Sequence, residues 1–162
     1  MTVPGNLHVS AQGDREILIM RVFNAARPLV FRAYTEPELL KRWLGVRDGW
    51  TLEVCEIDLR IGGAYRYVWR KESKGIDMGV GGIYREIVAP ERIVCTERFD
   101  DFWYAGDAIV TALFLDQGEQ TTLSLSLQYE TPETRDAVLK TPMESGLGES
   151  YNKLAELLVN LQ

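Results

Sequence analysis

Carboxylates are the side chains of this sequence that are best suited to proton transfer. Glu97 shares the parity of Cys95 and Phe99 along a predicted strand, which places all three on one face of a sheet. If that face borders a dry interior, the pKa of Glu97 rises and the residue becomes a candidate general base. The more ordinary interpretation is an ion pair with Arg98 or with an arginine of a neighbouring strand. Glu86 is a second candidate with the same two interpretations.

The other chemistry-bearing side chains exclude several classes of catalytic and metal site. His8 is the only histidine and precedes the first predicted strand, which argues against a histidine-based triad or a histidine-rich metal site in the domain. Cys55 and Cys95 are too few for a zinc site, and the glycines at 79–82 lack the lysine of a phosphate-binding loop. We therefore predict no cofactor and no metal. The two cysteines are expected to be buried, reduced thiols of a cytoplasmic protein.

Aromatic side chains of the sequence could form the wall of a ligand pocket. Tyr65, Tyr67 and Trp69 alternate with Arg66 and Arg70, so the rings are predicted to face inward while the arginines face water. For each ring alone, filling the core is the simpler interpretation. Together the three rings would place several large side chains with polar hydroxyl or N–H groups in one protein interior. This favours a pocket for an aromatic or polycyclic ligand. The predicted ligand-binding residues are Trp43, Tyr65, Tyr67, Trp69, Tyr84, Trp103, Phe114, Tyr129, Leu147 and Tyr151.

The elements that must position these residues follow a simple order. After a flexible tail over residues 1–14 comes a strand over 16–23, followed by two short helices, the second with a capping box formed by Thr35 and Glu38. Turn-forming breaks then separate six more predicted strands, over residues 50–59, 64–70, 78–88, 92–99, 107–116 and 120–130. A long amphipathic helix closes the chain, with apolar residues at helical spacing: Leu147, Tyr151, Leu154, Leu158 and Leu161.

The predicted fold is α+β, with a curved antiparallel sheet of about seven strands wrapped around the long C-terminal helix. Polar residues alternate with leucines over 122–129, so one face of the sheet is buried and needs a cover, which the helix supplies. A sheet that curls further than the helix can fill leaves a cavity. The turn at Gly62-Gly63, tied by Asp58 and Arg60, is predicted to aim the aromatic strand at that cavity.

Length, composition and charge restrict the classes of partner. A chain of 162 residues fits one domain, predicted over residues 15–162. The formal net charge of −6 repels phosphate backbones, so we predict no nucleic-acid partner. No apolar run approaches the roughly 20 residues of a membrane span, and the N-terminus lacks the pattern of a secretory signal. We therefore predict no membrane partner and a cytoplasmic location, while a homodimer is left open by the sequence.

Several short motifs, in order along the chain, resemble one protein family. The span from about Glu16 to Leu158 is similar to bacterial single-domain relatives of the C-terminal domain of the Hsp90-ATPase activator, within the START-like superfamily of polyketide cyclases, lipid-transfer domains and plant pathogenesis-related proteins. The matching motifs are Thr35-x-Pro37-Glu38-x-x-x-x-Trp43, Asp58-x-Arg60-x-Gly62-Gly63, Gly82-x-Tyr84-x-Glu86-Ile87-x-x-Pro90-Glu91-Arg92-Ile93 and Leu147-Gly148-Glu149-Ser150-Tyr151-x-x-Leu154. The resemblance implies the helix-grip (START or Bet v 1-like) fold and a central hydrophobic cavity. It implies no catalytic set, because the family has no common one.

Three functions follow as hypotheses. The first is the binding of a small hydrophobic or aromatic molecule between the sheet and the C-terminal helix. The second, suggested by the family resemblance, is a co-chaperone-like module that activates the Hsp90 ATPase. The third is a cofactor-independent cyclase or hydrolase that uses Glu97 or Glu86 together with a tyrosine.

Overall fold

The computed structural model of the chain describes residues 6–46, 49–101 and 104–162. Within these ranges it contains eight strands: β1 (His8–Gln12), β2 (Glu16–Phe23), β3 (Trp50–Ile57), β4 (Ala64–Lys71), β5 (Ile76–Val88), β6 (Arg92–Phe99), β7 (Ala108–Gln117) and β8 (Gln120–Gln128). Four helices accompany them: α1 (Arg27–Thr35), α2 (Pro37–Leu40), α3 (Pro132–Leu139) and α4 (Met143–Asn160). The predicted α+β class and the curved antiparallel sheet with a C-terminal helix are confirmed.

The strands form one antiparallel sheet in the order β1-β2-β8-β7-β6-β5-β4-β3. Leu123, Leu125 and Leu127 of β8 are buried, as their alternation predicts. Thr122 and Ser124 on the opposite parity were expected to be wet, yet they are also buried. Since β8 pairs with β2 on one side and β7 on the other, these short side chains are covered by longer neighbours.

The first strand is the element that the sequence analysis missed, which is why the prediction of about seven strands is one short. Residues 8–12 lie in the segment predicted as a flexible tail, but they pair with β2 from His8 opposite Met20 to Gln12 opposite Glu16. This edge strand is largely exposed, and Val9 is its one residue that packs in part against the core. Its backbone hydrogen bonds form the strand without the hydrophobic alternation that sequence analysis relies on.

The predicted capping box at Thr35 is wrong. Thr35 is the last residue of α1, it is buried, and its hydroxyl donates a 2.8 Å hydrogen bond to the carbonyl oxygen of Phe31. A buried threonine hydroxyl is satisfied most directly by the carbonyl one turn back in its own helix. Glu36 occupies the N-cap of α2 without a side-chain cap, and Pro37 fixes the first helical position.

The turn before β4 has the predicted structure. Gly62 has a φ of +86°, a conformation that favours glycine, and the Arg60 Nε lies 2.9 Å from the Asp58 carboxylate. The Gly62 amide donates to the Tyr84 carbonyl, and the Tyr84 amide donates to the Gly63 carbonyl, so the turn is also bound to β5. The turn therefore fixes where β4 begins and which of its residues face inward.

A corner in the sheet lies where β5 and β6 meet at Gly82. The ladder pairs Gly81 with Arg98 and then Tyr84 with Cys95 in the same register, skips Gly82 and Ile83 between them, and shifts register between Tyr84 and Glu86. In place of a ladder bond, the Ile83 amide donates to the Thr96 hydroxyl at 2.9 Å. A Cβ built on Gly82 would overlap the Thr96 carbonyl oxygen, so the two backbones come too close here for any side chain.

Candidate functional site

A cavity of about 640 Å³ lies between the inner face of the sheet and helix α4. Strands β4 to β8, single residues of β2, β3 and α3, the end of α1, the segment after α2 and the first half of α4 contribute to its wall. The wall reaches the protein surface at Met78, which is 44% exposed. Pockets for small organic molecules typically have volumes of roughly 300–1,000 Å³ and largely apolar walls. The cavity has the size and the lining of such a pocket.

All seven tyrosines of the chain line this cavity: Tyr34, Tyr65, Tyr67, Tyr84, Tyr104, Tyr129 and Tyr151. Burial raises the pKa of every one of these hydroxyls, and it raises the pKa of Tyr34 and Tyr104 to about 12. The tyrosines are therefore neutral at physiological pH. The cavity wall combines ring surface with neutral hydroxyl groups, which suits an aromatic ligand that also has polar atoms.

One wall of the cavity is the aromatic row of β4. Tyr65, Tyr67 and Trp69 all line it, with ring centroids 5.2 Å apart for the two tyrosines and 6.0 Å apart for Tyr67 and Trp69. Arg66, between them in sequence, points to the other face and forms an exposed ion pair with Asp100. The alternation seen in the sequence therefore gives the observed orientation of this strand.

Trp69 closes one end of the cavity through a set of polar contacts. Its indole N–H donates a 2.8 Å hydrogen bond to the Leu44 carbonyl, and the amide of the next residue, Gly45, donates to the Ser150 hydroxyl at 3.0 Å. Gly45 has a φ of +68°, and a Cβ there would overlap the Trp69 indole. Gly45 comes after α2, where a glycine commonly ends a helix. It also allows β4, the segment after α2 and helix α4 to meet at one point.

Glu97 is the only charged residue among the described residues that line the cavity. Its side chain retains some accessible surface, and the cavity is where that surface lies. Within the described ranges its carboxylate has neither a hydrogen bond nor an ion pair, because Arg98 pairs with Asp107 instead. Burial raises the pKa of Glu97 to about 7. The carboxyl group of Glu97 in the cavity therefore changes charge near neutral pH.

Glu86 lies elsewhere. Its carboxylate accepts a hydrogen bond of 2.9 Å from Arg92 on the neighbouring strand, and its side chain is 46% exposed. This is the ion-pair arrangement that the sequence analysis gave as the ordinary interpretation. Glu86 is not in contact with the cavity, so it does not act together with Glu97 there.

The other predicted ligand-binding residues divide into two groups. Tyr84, Tyr129, Leu147 and Tyr151 line the cavity together with the β4 row. Trp43 and Phe114 do not: both are fully buried in the core behind the wall. Trp103 lies outside the described residues.

The positions of Trp43 and Phe114 have a packing explanation. The Trp43 indole N–H donates a 3.0 Å hydrogen bond to the Ala33 carbonyl, which holds the Trp43 ring against helix α1. Phe114 packs edge-to-face on Phe31, with ring centroids 5.2 Å apart. Tyr34 packs on the rings of Trp43 and Phe114 and lies between them and the cavity, so it forms the wall at this point.

Two tyrosines of the cavity were missed by the sequence analysis. Tyr34 lies near the end of α1, and its hydroxyl shares a 3.2 Å hydrogen bond with that of Tyr151 on α4. Tyr104 precedes β7, and its ring packs edge-to-face on Tyr129 with centroids 5.6 Å apart. Neither lies in a strand, so the alternation that revealed the β4 row gave no signal for them. The sheer number of tyrosines was the available clue.

The described residues contain no group of three or more histidine, cysteine, aspartate or glutamate side chains arranged to hold a metal ion. Cys55 and Cys95 are both free thiols. Burial raises the pKa of the Cys55 thiol to about 11 and that of Cys95 to about 12, so neither is a ready nucleophile. Among the described helices, none has the length and apolarity required to cross a membrane.

Comparison with known proteins identifies one family. The family described as Activator of Hsp90 ATPase homolog 1-like protein matches residues 24–159 of the chain. The comparison with curated proteins gives no match. The matched span includes every described residue that lines the cavity except Ile19.

Solved structures resemble the chain over most of its length. A protein of Rhodobacter sphaeroides is 29% identical, with 96% of this chain and 99% of that chain covered and a TM-score of 0.88. A protein of Chromobacterium violaceum is 32% identical, with 90% and 98% covered and a TM-score of 0.73. An HSP90 activator from Plasmodium falciparum is 24% identical, with 70% and 72% covered and a TM-score of 0.55, a likeness of fold alone.

Proposed function

The chain belongs to the family of activator of Hsp90 ATPase homolog 1-like proteins, and from the cavity that it carries we propose that it binds a small, largely apolar or aromatic molecule between the sheet and α4. The observation that carries this proposal is the convergence of all seven tyrosines on one cavity of about 640 Å³. Tyrosines that merely filled a core would be spread over its layers. The proposed setting is the cytoplasm, which the two free thiols support.

A ligand in the cavity is energetically favoured over a permanently empty space. Interiors of folded proteins are close-packed, and a void large enough for a ligand loses dispersion contacts along its whole lining. The residues that lose these contacts include Tyr67, Trp69 and Tyr129, whose rings line the cavity. An aromatic ligand regains those contacts, and its polar atoms find hydroxyl partners on the same rings.

A thermal-shift and fluorescence screen tests the proposal. Planar aromatic molecules of two or three rings should raise the melting temperature and quench tryptophan fluorescence, because Trp50 and Trp69 line the cavity. A cavity-filling variant, Ala112→Phe, should lose both responses while it stays folded, since Ala112 lies on the wall. A panel that changes neither signal in the wild-type protein would count against the proposal.

A co-chaperone-like module is the second candidate, supported by the family and by the fold shared with the Plasmodium falciparum HSP90 activator. It requires a surface rather than the cavity. The chain would then raise the ATPase rate of Hsp90 when the two proteins are mixed. An ATPase assay with saturating amounts of the chain and no change in rate would exclude this function.

The cyclase or hydrolase alternative now depends on a single carboxylate. Glu86 is paired with Arg92 and is exposed, whereas Glu97 faces the cavity. Retention of turnover by Glu97→Gln for any substrate found in the cavity would show that Glu97 is not the base. Loss of turnover with unchanged substrate binding would support the enzyme.

A further inference from the structure

Resting on the proposed function, we propose that the ligand of this cavity carries a positively charged amine or quaternary ammonium group that binds beside Glu97 within a cage of tyrosine rings. Glu97 is the only charged side chain among the described residues of the wall. The rest of the wall is apolar or neutral. The class of ligand that fits such a site is an aromatic or aliphatic body with one cationic end.

The protein leaves Glu97 without a partner of its own. The nearest arginine in sequence, Arg98, points to the outer face and pairs with Asp107 at 2.6 Å. The hydroxyl of Tyr65 donates to the Thr96 carbonyl, and those of Tyr34 and Tyr151 bond to each other. Donors that could have satisfied the carboxylate are thus directed elsewhere, and a buried carboxylate without a partner is costly. A cationic ligand supplies the missing charge.

The aromatic rings near Glu97 also attract a cation, as its carboxylate does. Besides burial, the Glu97 charge raises the pKa of five tyrosines, which places them all within its electrostatic reach: Tyr34, Tyr65, Tyr104, Tyr129 and Tyr151. The face of an aromatic ring carries negative partial charge and attracts ammonium groups, and this attraction grows when water is excluded. A carboxylate inside a set of such rings adds a full charge to the same preference.

Ligands of other charge fit less well. An anionic ligand would meet the Glu97 carboxylate in a low-dielectric space, where like charges repel strongly. A neutral ligand could donate one hydrogen bond but would leave the negative charge uncompensated. The formal net charge of −6 on the whole chain also favours the approach of cations over anions.

Isothermal titration calorimetry with three probes that share one body tests this inference. The probes are 2-(1-naphthyl)ethyltrimethylammonium, 2-(1-naphthyl)ethanol and 1-naphthaleneacetate, and the fixed charge of the first does not change with pH. At about pH 8 the wild-type protein should bind the ammonium probe at least about tenfold more tightly than the alcohol, and the acetate most weakly. In Glu97→Gln this preference should shrink to the smaller part that the tyrosine rings supply.

A matched control and a second measurement keep the outcomes separate. Glu86→Gln removes a carboxylate that has no contact with the cavity, so the wild-type order of affinities should persist. In the wild-type protein, lowering the pH to about 5 should protonate Glu97 and remove most of the ammonium preference. Equal binding of ammonium and alcohol by the wild type, or an undiminished ammonium preference in Glu97→Gln, would overturn the inference and leave the proposed cavity function standing. Failure of all three probes to bind would overturn both.

Discussion

The hydroxyl of Tyr65 on β4 donates a 2.6 Å hydrogen bond to the carbonyl oxygen of Thr96 on β6, across the intervening strand β5. This carbonyl accepts from a side chain because the β5–β6 ladder is interrupted beside Gly82. The bond therefore joins the sheet corner to the aromatic wall. It also fixes the backbone next to Glu97, so the position of the Glu97 carboxylate in the cavity depends on it.

Substitution of Gly82 by alanine tests the sheet corner. The added Cβ would overlap the Thr96 carbonyl oxygen, which is backbone and has no room to move aside. We expect Gly82→Ala to lower the free energy of unfolding by about 2 kcal/mol or more, measured by urea denaturation.

Gly148 supplies the matched control for the glycine substitution. It lies inside α4, and a Cβ there would meet no atom within 4 Å. Gly148→Ala should raise the free energy of unfolding by up to about 1 kcal/mol, since alanine is the better helix former. Equal effects of the two substitutions would contradict the corner described above.

Removal of the Tyr65 hydroxyl tests the bond across β5. Tyr65→Phe leaves the ring in the wall but leaves the buried Thr96 carbonyl without its side-chain donor. The expected loss in the free energy of unfolding is about 1–3 kcal/mol.

Tyr67→Phe is the neighbouring control, because within the described ranges the Tyr67 hydroxyl has no hydrogen bond. This variant should change the free energy of unfolding by less than about 0.5 kcal/mol. A Tyr65→Phe protein as stable as Tyr67→Phe would mean that the Thr96 carbonyl finds another donor.

The charge of Glu97 makes stability depend on pH. Its pKa rises from 4.5 to about 7 on folding because of burial, so the folded state holds the proton more tightly than the unfolded state. The resulting stabilisation is fully present below about pH 4.5 and is lost as the pH rises through about 7. At about 1.4 kcal/mol for each pH unit in that window, the loss reaches about 3 kcal/mol near pH 8.

Comparison of Glu97→Gln with the wild type isolates this effect, since all other titratable groups are common to both proteins. The variant should be more stable than the wild type at about pH 8, and the difference should shrink towards pH 5. Burial raises the pKa of the other titratable groups around Glu97, so none of them changes charge between about pH 5 and 8. These groups are Tyr34, Tyr65, Cys95, Tyr104, Tyr129 and Tyr151. A stability difference that is constant with pH would show that Glu97 is already hydrated or paired.

Much of the sheet could be predicted from the sequence because strand alternation is a local signal. Tyr65, Tyr67 and Trp69 face the cavity because they alternate with residues of the outer face, and Glu97 faces it for the same reason. What parity does not give is the partner of a side chain. Glu86 and Glu97 received the same two interpretations, and only the positions of Arg92 and Asp107 separate them.

The rest of the site depends on contacts between distant segments. Tyr34 lies on α1 and Trp43 in the turn after α2, and either could have faced the cavity. The hydrogen bond from Trp43 to Ala33 and the one between Tyr34 and Tyr151 decide which does. Gly45 gave a local stop signal, while its close approach to Trp69 is a property of the folded chain. Such choices are made by packing, which no short sequence window contains.

A ¹⁵N-labelled NMR titration of the whole chain with 2-(1-naphthyl)ethanol distinguishes binding in the cavity from binding elsewhere, since it both detects binding and locates it. The account predicts saturable shifts of the backbone amides of Tyr65 to Trp69 on β4, of Glu97 on β6 and of Gly146 to Tyr151 on α4, because these segments line the cavity. Amides of the exposed edge strand β1 should not move. Absence of shifts at these positions, or shifts confined to the outer face of the sheet, would contradict the account.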